Sequence, residues 1–255
     1  MSLLEIQTLE NGAKFYRADL HIHSYGNYAS YDVTDSLMTP EKIIDEAIKE
    51  NISIISITDH NEIGNIQAAL NYAVNKNILV IPGVELSTSQ GHFLMYFESY
   101  ENIRSFIGEL NISADKKQCD TTITGALDIA RKYNGFGIAA HIDIKAGFEA
   151  YAVGYTPFKE AILKHELLYG FEISDKSATD WFTELDSNPD RKRLFRARKT
   201  HLKEDNSYNI AKIMSSDAHT LNALGKNLSG TKKLTRLKLD SLDFNSFRVA
   251  FLDAN

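Results

Sequence analysis

Asp19-Leu20-His21-Ile22-His23-Ser24 sets two histidines on either side of a single isoleucine. Alternate side chains of an extended strand point to the same face. His21 and His23 therefore aim two imidazoles at one point, while Ile22 turns the other way into packing. Lys14 to Leu20 reads as that strand, with the pair at its C-terminal end. On its own a His-x-His pair marks a surface strand more often than a ligand pair. Its weight comes from where the other histidines and acids fall.

Working outward, apolar β-branched runs alternate with helical periods. Thr39-Pro40-Glu41 opens a helix with an N-cap, a proline at the first helical position and an acid in the first turn. Ile43, Ile44, Ala47 and Ile48 form its buried face and Asn51 ends it. Ile52 to Ile57 is the next strand and runs into Thr58-Asp59-His60; a helix follows over Asn65 to Asn75. Ile78 to Val84 is a strand with Glu85 at its end. Thr88-Ser89-Gln90-Gly91 is a turn into His92-Phe93-Leu94-Met95-Tyr96-Phe97, so a hairpin brings Glu85 and His92 to one edge.

Helices are expected over Ile103 to Leu110, Thr124 to Tyr133 and Phe158 to Leu168, the last capped by Thr156-Pro157. Strands are expected over Phe136 to Ala140, ending at His141, over Gly170 to Ile173, and over Ala211 to Ser215, delivering Ser216-Asp217-Ala218-His219. Residues 1–13 read as an irregular lead-in with a turn at Asn11-Gly12, and 175–208 as charged and irregular. Thr235 to Leu239 is a further strand, and Asp243 caps a closing helix with Phe244, Phe247 and Phe251 on its apolar face. Such alternation predicts a largely parallel sheet, at this length a barrel. In barrels of this kind the site lies where the strands end, and all the histidines and acids of the pattern fall there.

The 255 residues, 43% hydrophobic and 24% charged, suit a globular α/β chain. A net charge of −6 argues against general coating of nucleic acid but leaves room for a local basic groove. Cys119 is the sole cysteine, so no internal disulfide can form. Met1 to Gly12 carries Glu5 and Glu10 without a long apolar core, and no apolar run approaches the roughly 20 residues that span a bilayer. A soluble, cytoplasmic protein is the expectation.

The chain resembles the PHP family, the polymerase and histidinol phosphatase domain. The resemblance rests on Asp19-Leu20-His21-Ile22-His23-Ser24, Thr58-Asp59-His60-Asn61, Pro82-Gly83-Val84-Glu85, Gly91-His92, Ala140-His141 and Ser216-Asp217-Ala218-His219, in family order. It implies a distorted (β/α)7 TIM-like barrel over residues 1–255 as one domain, with 145–210 as an insertion or lid-like region, and two or three divalent metals at the mouth. Carried over, His21, His23, Glu85 and Asp217 hold one metal; Glu85 bridges to a second, completed by His92 and His141. His60 and His219 bind a third with an acid from the loop after His23. Asp35 is chosen for that acid and Asp32 is its rival, because the loop is longer than the family pattern and Ser36 replaces its glycine.

The donor chemistry agrees: imidazole and carboxylate without thiolate suit Zn, Mn or Fe(II). Two such ions about 3.5–4 Å apart clamp a phosphoryl group around a bridging hydroxide. Asp19 and Asp59 are candidate catalytic residues that orient ligand rings, with local backbone capping as the alternative. Lys145, Arg196 and Arg198 are candidate substrate-binding residues, the arginines within Arg191-Lys192-Arg193-Leu194-Phe195-Arg196-Ala197-Arg198-Lys199. That run could grip nucleic-acid phosphates or be an ordinary solvated face. Glu172 ends a strand and could face the mouth, Tyr151 and Trp181 could stack on a base or serve packing, and Cys119, His165 and His201 read as structural or surface groups.

The reading is a metal-dependent phosphoesterase acting on a phosphodiester of nucleic acid or a nucleotide. The alternatives are a histidinol-phosphate-like small-molecule phosphatase, and a noncatalytic metal-binding module regulating a partner ATPase. Amidohydrolase chemistry is disfavoured by Asp217-x-His219 and by the bridging Glu85. The segments Gly225-Lys226, Leu234-Thr235-Arg236-Leu237-Lys238 and Asp240 to Asp253 resemble the tail of PHP domains fused ahead of ATPases, although the chain has no phosphate-binding loop of its own.

Overall fold

The computed structural model describes residues 13–151, 154–205, 208–226, 230–232 and 235–252. The lead-in over 1–12, Leu234, Asp253 and the side chain of Tyr151 lie outside the described residues. β1 (Lys14–Ile22) pairs in parallel with β2 (Ile54–Ile57), which pairs in parallel with β3 (Leu79–Val80). On its other edge β1 pairs antiparallel with β9 (Thr235–Leu239), which makes a four-stranded sheet. A second, five-stranded sheet runs β4 (Gly83–Thr88), β5 (Gly91–Tyr96), β6 (Phe136–Ala139), β7 (Leu168–Glu172) and β8 (Ala211–Ile213). Its first two pairings are antiparallel and the last two parallel.

Outside the strands lie α1 (Pro40–Lys49), α2 (Ile66–Ala73), α3 (Tyr100–Gly108), α4 (Ile123–Arg131), α5 (Phe148–Tyr151), α6 (Pro157–Lys164), α7 (Pro189–Leu202) and α8 (Phe244–Leu252). The caps read from sequence form: the Thr39 hydroxyl accepts the Lys42 amide and the Thr156 hydroxyl that of Lys159. Asp243 likewise accepts the Ser246 amide at 2.8 Å ahead of α8. Phe244, Phe247 and Phe251 of α8 are buried, with Phe247 against Tyr96 and Phe136. Each contributes about 1.5–3 kcal/mol by leaving water. Ile48, assigned to the buried face of α1, is 41% exposed. None of the helices among the described residues is long and apolar enough to cross a membrane.

Several expectations need correction. The ring of strands does not close, so the architecture is a mixed α/β fold of two sheets rather than a completed TIM-like barrel. β9 occupies the start of β1, over Lys14 to Ala18, and denies that edge to β8. Among the described residues no β-ladder joins the two sheets; isolated bridges link them at the strand ends, Ile22 to Ala218 and His60 to Glu85, and the Tyr96 hydroxyl donates across to the Leu20 carbonyl at 2.8 Å. The strand expected over Ile78 to Val84 breaks at Pro82, which has no N–H to continue a ladder. Ile81 still donates to Ile55 in the first sheet, whereas the Pro82 carbonyl accepts from Phe97 in the second.

α6 stops at Lys164 because β7 already begins at Leu168. The segment 175–208 is not irregular: it contains α7, capped by the Asn188 side chain and opened by Pro189. Only Leu194, Phe195 and Arg198 of α7 are buried. An apolar stripe that narrow leaves little period to read. Residues 145–210 also supply β7, which lies between β6 and β8 inside the second sheet.

Candidate metal centre

The C-terminal ends of β1, β2, β6 and β8 and the β4–β5 hairpin converge on one point. Glu85, fully buried, stands at its middle. Its Oε2 lies 3.0 Å from His21 Nε2, 3.3 Å from His23 Nε2 and 3.2 Å from His60 Nδ1. Its Oε1 lies 3.0 Å from His92 Nδ1 and 3.1 Å from His141 Nε2. Asp217 Oδ1 is 3.1 Å from His23 Nε2 and 3.5 Å from His21 Nε2, and the two Nε2 atoms are themselves 3.1 Å apart. Asp32 Oδ2 lies 3.3 Å from His60 Nε2 and 3.1 Å from His219 Nε2.

These separations test whether divalent ions fit. Ligand atoms on bonds of about 2.0–2.1 Å stand roughly 3.0–3.4 Å from one another around a metal. Glu85 Oε2 and His92 Nδ1 are buried without a hydrogen-bond partner despite these approaches, because the close atoms do not meet in hydrogen-bond geometry. Uncompensated polar atoms at this depth are costly. Three sets offer ligand atoms all within 4.8 Å of one another: His23, Asp32, His60 and His219; His21, His23 and Asp217; and His60, Glu85 and His92. The donor set therefore suits divalent cations.

Backbone geometry is bent to reach this point. His141 at φ 25° and Asp217 at φ 52° occupy the left-handed region, uncommon for residues with a Cβ. Gly147 permits the turn after His141, since a Cβ there would lie 2.1 Å from the His141 carbonyl oxygen. Three buried groups then hold the rings. Glu172 Oε2 accepts from His21 Nδ1 at 2.8 Å and from the His141 amide at 3.0 Å. Ser30 Oγ lies 2.6 Å from His23 Nδ1 and accepts the His60 amide at 3.0 Å. Ser87 Oγ stands 2.9 Å from His60 Nδ1. Glu172 was legible as a strand-end acid. Ser30 and Ser87 carried no signal of their own, since serine in a loop or turn is common.

Electrostatics follow from burial and pairing. Burial pushes the His23 imidazole down, but hydrogen bonds to Asp217 and Glu85 outweigh it and raise it to about 9. Burial likewise opposes a charge on His21, yet Glu85, Glu172 and Asp217 hold it well above the usual imidazole range. Burial would raise Glu85, but the surrounding imidazoles, His21 first, hold it well below the usual carboxylate range. His60 is lowered, burial winning over Glu85 and Asp32.

The remaining candidates fall elsewhere. Asp35 does not join the histidines: its carboxylate accepts the amides of Leu37 and Leu221, and Asp32 takes the place among His60 and His219. Asp19 and Asp59 do not orient a ring. Asp19 accepts the amides of Ser216 at 2.9 Å and Gly225 at 2.7 Å, which anchors the loop that carries Asp217 and His219. Asp59 accepts both the amide and the hydroxyl of Ser24. Burial raises each to about 6.

Lys145 is exposed in the turn after His141. Arg196 is exposed and paired with Glu184. Arg198 is buried and donates to the carbonyls of Leu163, His165 and Leu168, the last at the end of β7 remote from Glu172. Trp181 packs under the Arg191 guanidinium at 3.9 Å, His165 meets Asp128, His201 is exposed, and Cys119 is a buried free thiol.

A mixed α/β fold whose strand ends gather histidines and carboxylates into one cage defines a candidate metalloprotein. The PHP domain model matches residues 19–163, more than half of the chain, and the chain belongs to that family. Asp217 and His219 lie beyond the matched stretch and reach the cage through the fold. An uncharacterized protein of Methanocaldococcus jannaschii is 28% identical over 106 residues, 40% of this chain and 62% of that relative. Among solved structures, the lesion-specific endonuclease Q of Pyrococcus furiosus superposes with a TM-score of 0.66 at 17% identity, over 95% of this chain and 57% of that one. An endonuclease Q structure in complex with a 27-mer duplex substrate, an abasic lesion at its active site, gives the same values.

A two-domain protein of Bacteroides vulgatus containing a predicted PHP-like metal-dependent phosphoesterase gives 0.60 at 20% identity, over 94% of this chain and 63% of that one. The chain thus spans less than two thirds of the length of each of these relatives. None of them bears on an ATPase partner; the tail forms the expected strand and closing helix, β9 and α8.

Proposed function

We propose that this chain is a metal-dependent phosphoesterase that acts on a phosphodiester. One observation carries the reading: Glu85 lies within 3.3 Å of nitrogens from five histidines. His21, His23, Glu85 and Asp217 are assigned to one divalent ion, Glu85 with His92 and His141 to a second, and His60, His219 and Asp32 to a third. Bound there, Mn, Zn or Fe(II) would supply charge neutralisation for phosphoryl oxygens and acidify a water toward neutral pH. The protein's own part is to hold the donors in place. Glu172 and Ser30 fix which nitrogen of His21 and His23 faces the cage, and Asp19 ties down the loop of Asp217. Asp19 and Asp59 act through backbone positioning in this proposal, and the single-domain span keeps 145–210 as part of the scaffold behind the mouth.

The likeness to an endonuclease bound to a 27-mer duplex substrate favours a diester over the small monoester of a histidinol-phosphate-like phosphatase. Hydrolysis of bis-p-nitrophenyl phosphate and p-nitrophenyl phosphate with added Mn decides between them: the diester turns over faster if the proposal holds. A faster monoester supports the phosphatase. Metal uptake without either activity supports a noncatalytic module.

The histidine shifts set a pH dependence. His23 is raised from its ordinary 6.5 to about 9 by Asp217 and Glu85 against burial. Its contribution to stability is therefore complete below pH about 6.5 and lost as pH climbs through about 9. The metal-free protein should lose unfolding free energy over that window, and added Mn should restore it, because metal and proton compete for the same nitrogens. Urea denaturation from pH 6 to 10, with EDTA or Mn, reads this out. A flat profile in EDTA would show that His23 is not held protonated by its neighbours.

A further inference from the structure

We propose that the outward face of α7 is a track for the sugar-phosphate backbone of a nucleic-acid strand, leading away from the cage. The inference rests on the phosphodiesterase reading and names the polymeric substrate class. Lys192, Arg196 and Lys199 recur at steps of four and three residues, so they stand on one face of the helix, with Lys203 the next step beyond its end. At a rise of about 1.5 Å per residue, one cation is presented roughly every 5–6 Å over some 16 Å. Leu194, Phe195 and Arg198 are buried, and Lys199 borders that buried surface with its Nζ 5.5 Å over the Phe195 ring. Arg193 extends the surface and lies 4.0 Å over the Tyr155 ring, an arrangement that keeps the guanidinium flat and its edge donors free.

Position matters as much as charge. The chain leaves the cage at Glu172, and the amides of Ser174 and Asp175 donate to Asp143, just past His141. It then enters α7, which runs back along β7 until Arg198 reaches the Leu168 carbonyl at that strand's start. The stripe therefore begins on the cage side of the sheet and descends its outside. A ligand confined to the mouth has no use for cations there. A polymer continuing past the mouth does.

An anion already occupies the stripe. The Glu184 carboxylate bonds Arg196 at 2.7 Å and is held below the usual range by Arg196, with Lys199 and Lys192 adding to the effect. Lys192, Arg193 and Lys199 have no ion-pair partner among the described residues. In a protein of net charge −6 this is a local concentration of positive charge. Glu184 stands where a phosphate would, and binding of a strand exchanges one anion for another.

The test is fluorescence anisotropy with a fluorescein-labelled 20-nucleotide single strand and the matching duplex, in EDTA, as a function of salt. The wild-type chain should bind, and the triple variant Lys192→Gln, Arg196→Gln, Lys199→Gln should bind more than tenfold more weakly at low salt. Its log–log salt slope should be shallower by about 2 to 3, near one per lost phosphate contact. Glu184→Gln, which removes the resident anion, should tighten binding about two- to fivefold. If the triple variant melts early, Lys192→Gln and Lys199→Gln singly carry the same slope reading. No binding by the wild-type chain, or an unchanged slope in the variants, overturns the track. Because EDTA removes any need for metal, slope-dependent binding by a chain that fails to hydrolyse bis-p-nitrophenyl phosphate sinks the phosphoesterase reading alone.

Discussion

Glu85→Gln should lower kcat/KM for bis-p-nitrophenyl phosphate by about a thousandfold and remove at least one bound ion per chain. The side chain keeps its size, so the change is in charge and donor set. Metal-held stabilisation of a phosphoryl transition state is worth several kcal/mol, and about 1.4 kcal/mol corresponds to a factor of ten. Glu85 is the one carboxylate among the described residues placed against His21, His23, His60, His92 and His141 together, and the proposed bridging role rests on that placement. Without its charge those imidazoles face one another across a buried space. Metal analysis by mass spectrometry and steady-state kinetics on the same preparation provide the check. A Glu85→Gln chain with wild-type metal content and turnover would remove the bridge from the proposal.

The second large effect concerns stability. Arg198→Met should lower the unfolding free energy by about 3–5 kcal/mol, since buried groups deprived of a charged donor cost about 1–3 kcal/mol each. The guanidinium of Arg198, 3% exposed, donates to Leu163 at 2.7 Å, His165 at 3.1 Å and Leu168 at 2.8 Å, and to the Tyr208 hydroxyl at 3.0 Å. Methionine fills part of the volume but leaves three carbonyls without that donor. A chain of this size loses roughly 2–4 °C of melting temperature per kcal/mol, so a fall of about 10 °C is the expected reading. Arg196→Met, two residues away and exposed, should move the midpoint little. Were Arg198→Met to melt normally and bind substrate poorly, Arg198 would belong to the substrate surface after all.

These two residues show where sequence was informative. Glu85 is legible from local pattern alone, because a β-branched strand and a tight turn place it beside His92. The same logic found the strand ends of His21, His60, His141 and Asp217. Arg198 is not: in the basic run from Arg191 to Lys199, nothing local distinguishes the one cation that turns inward. The helix itself was missed for a related reason, since a face of three buried side chains leaves no clear period. Asp35 was preferred over Asp32 on spacing to Pro40. The choice between them depended on how a polar loop bends, which short-range preferences do not fix.

The amino-acid order by itself determined the alternation of strand and helix, the caps, and the set of nitrogen and oxygen donors at strand ends. Those are local matters, set by side-chain periodicity and by turn chemistry within a few residues. Tertiary structure alone decided that β9 takes the edge of β1 and leaves two sheets with no ladder between them among the described residues. It also decided that Glu172 and Ser30 hold the rings while Asp19 and Asp59 hold backbone. Apart from the Ser30–His23 contact, seven positions apart, these link residues 31 to 206 positions apart and depend on the path of the whole chain, beyond the reach of any local window of sequence.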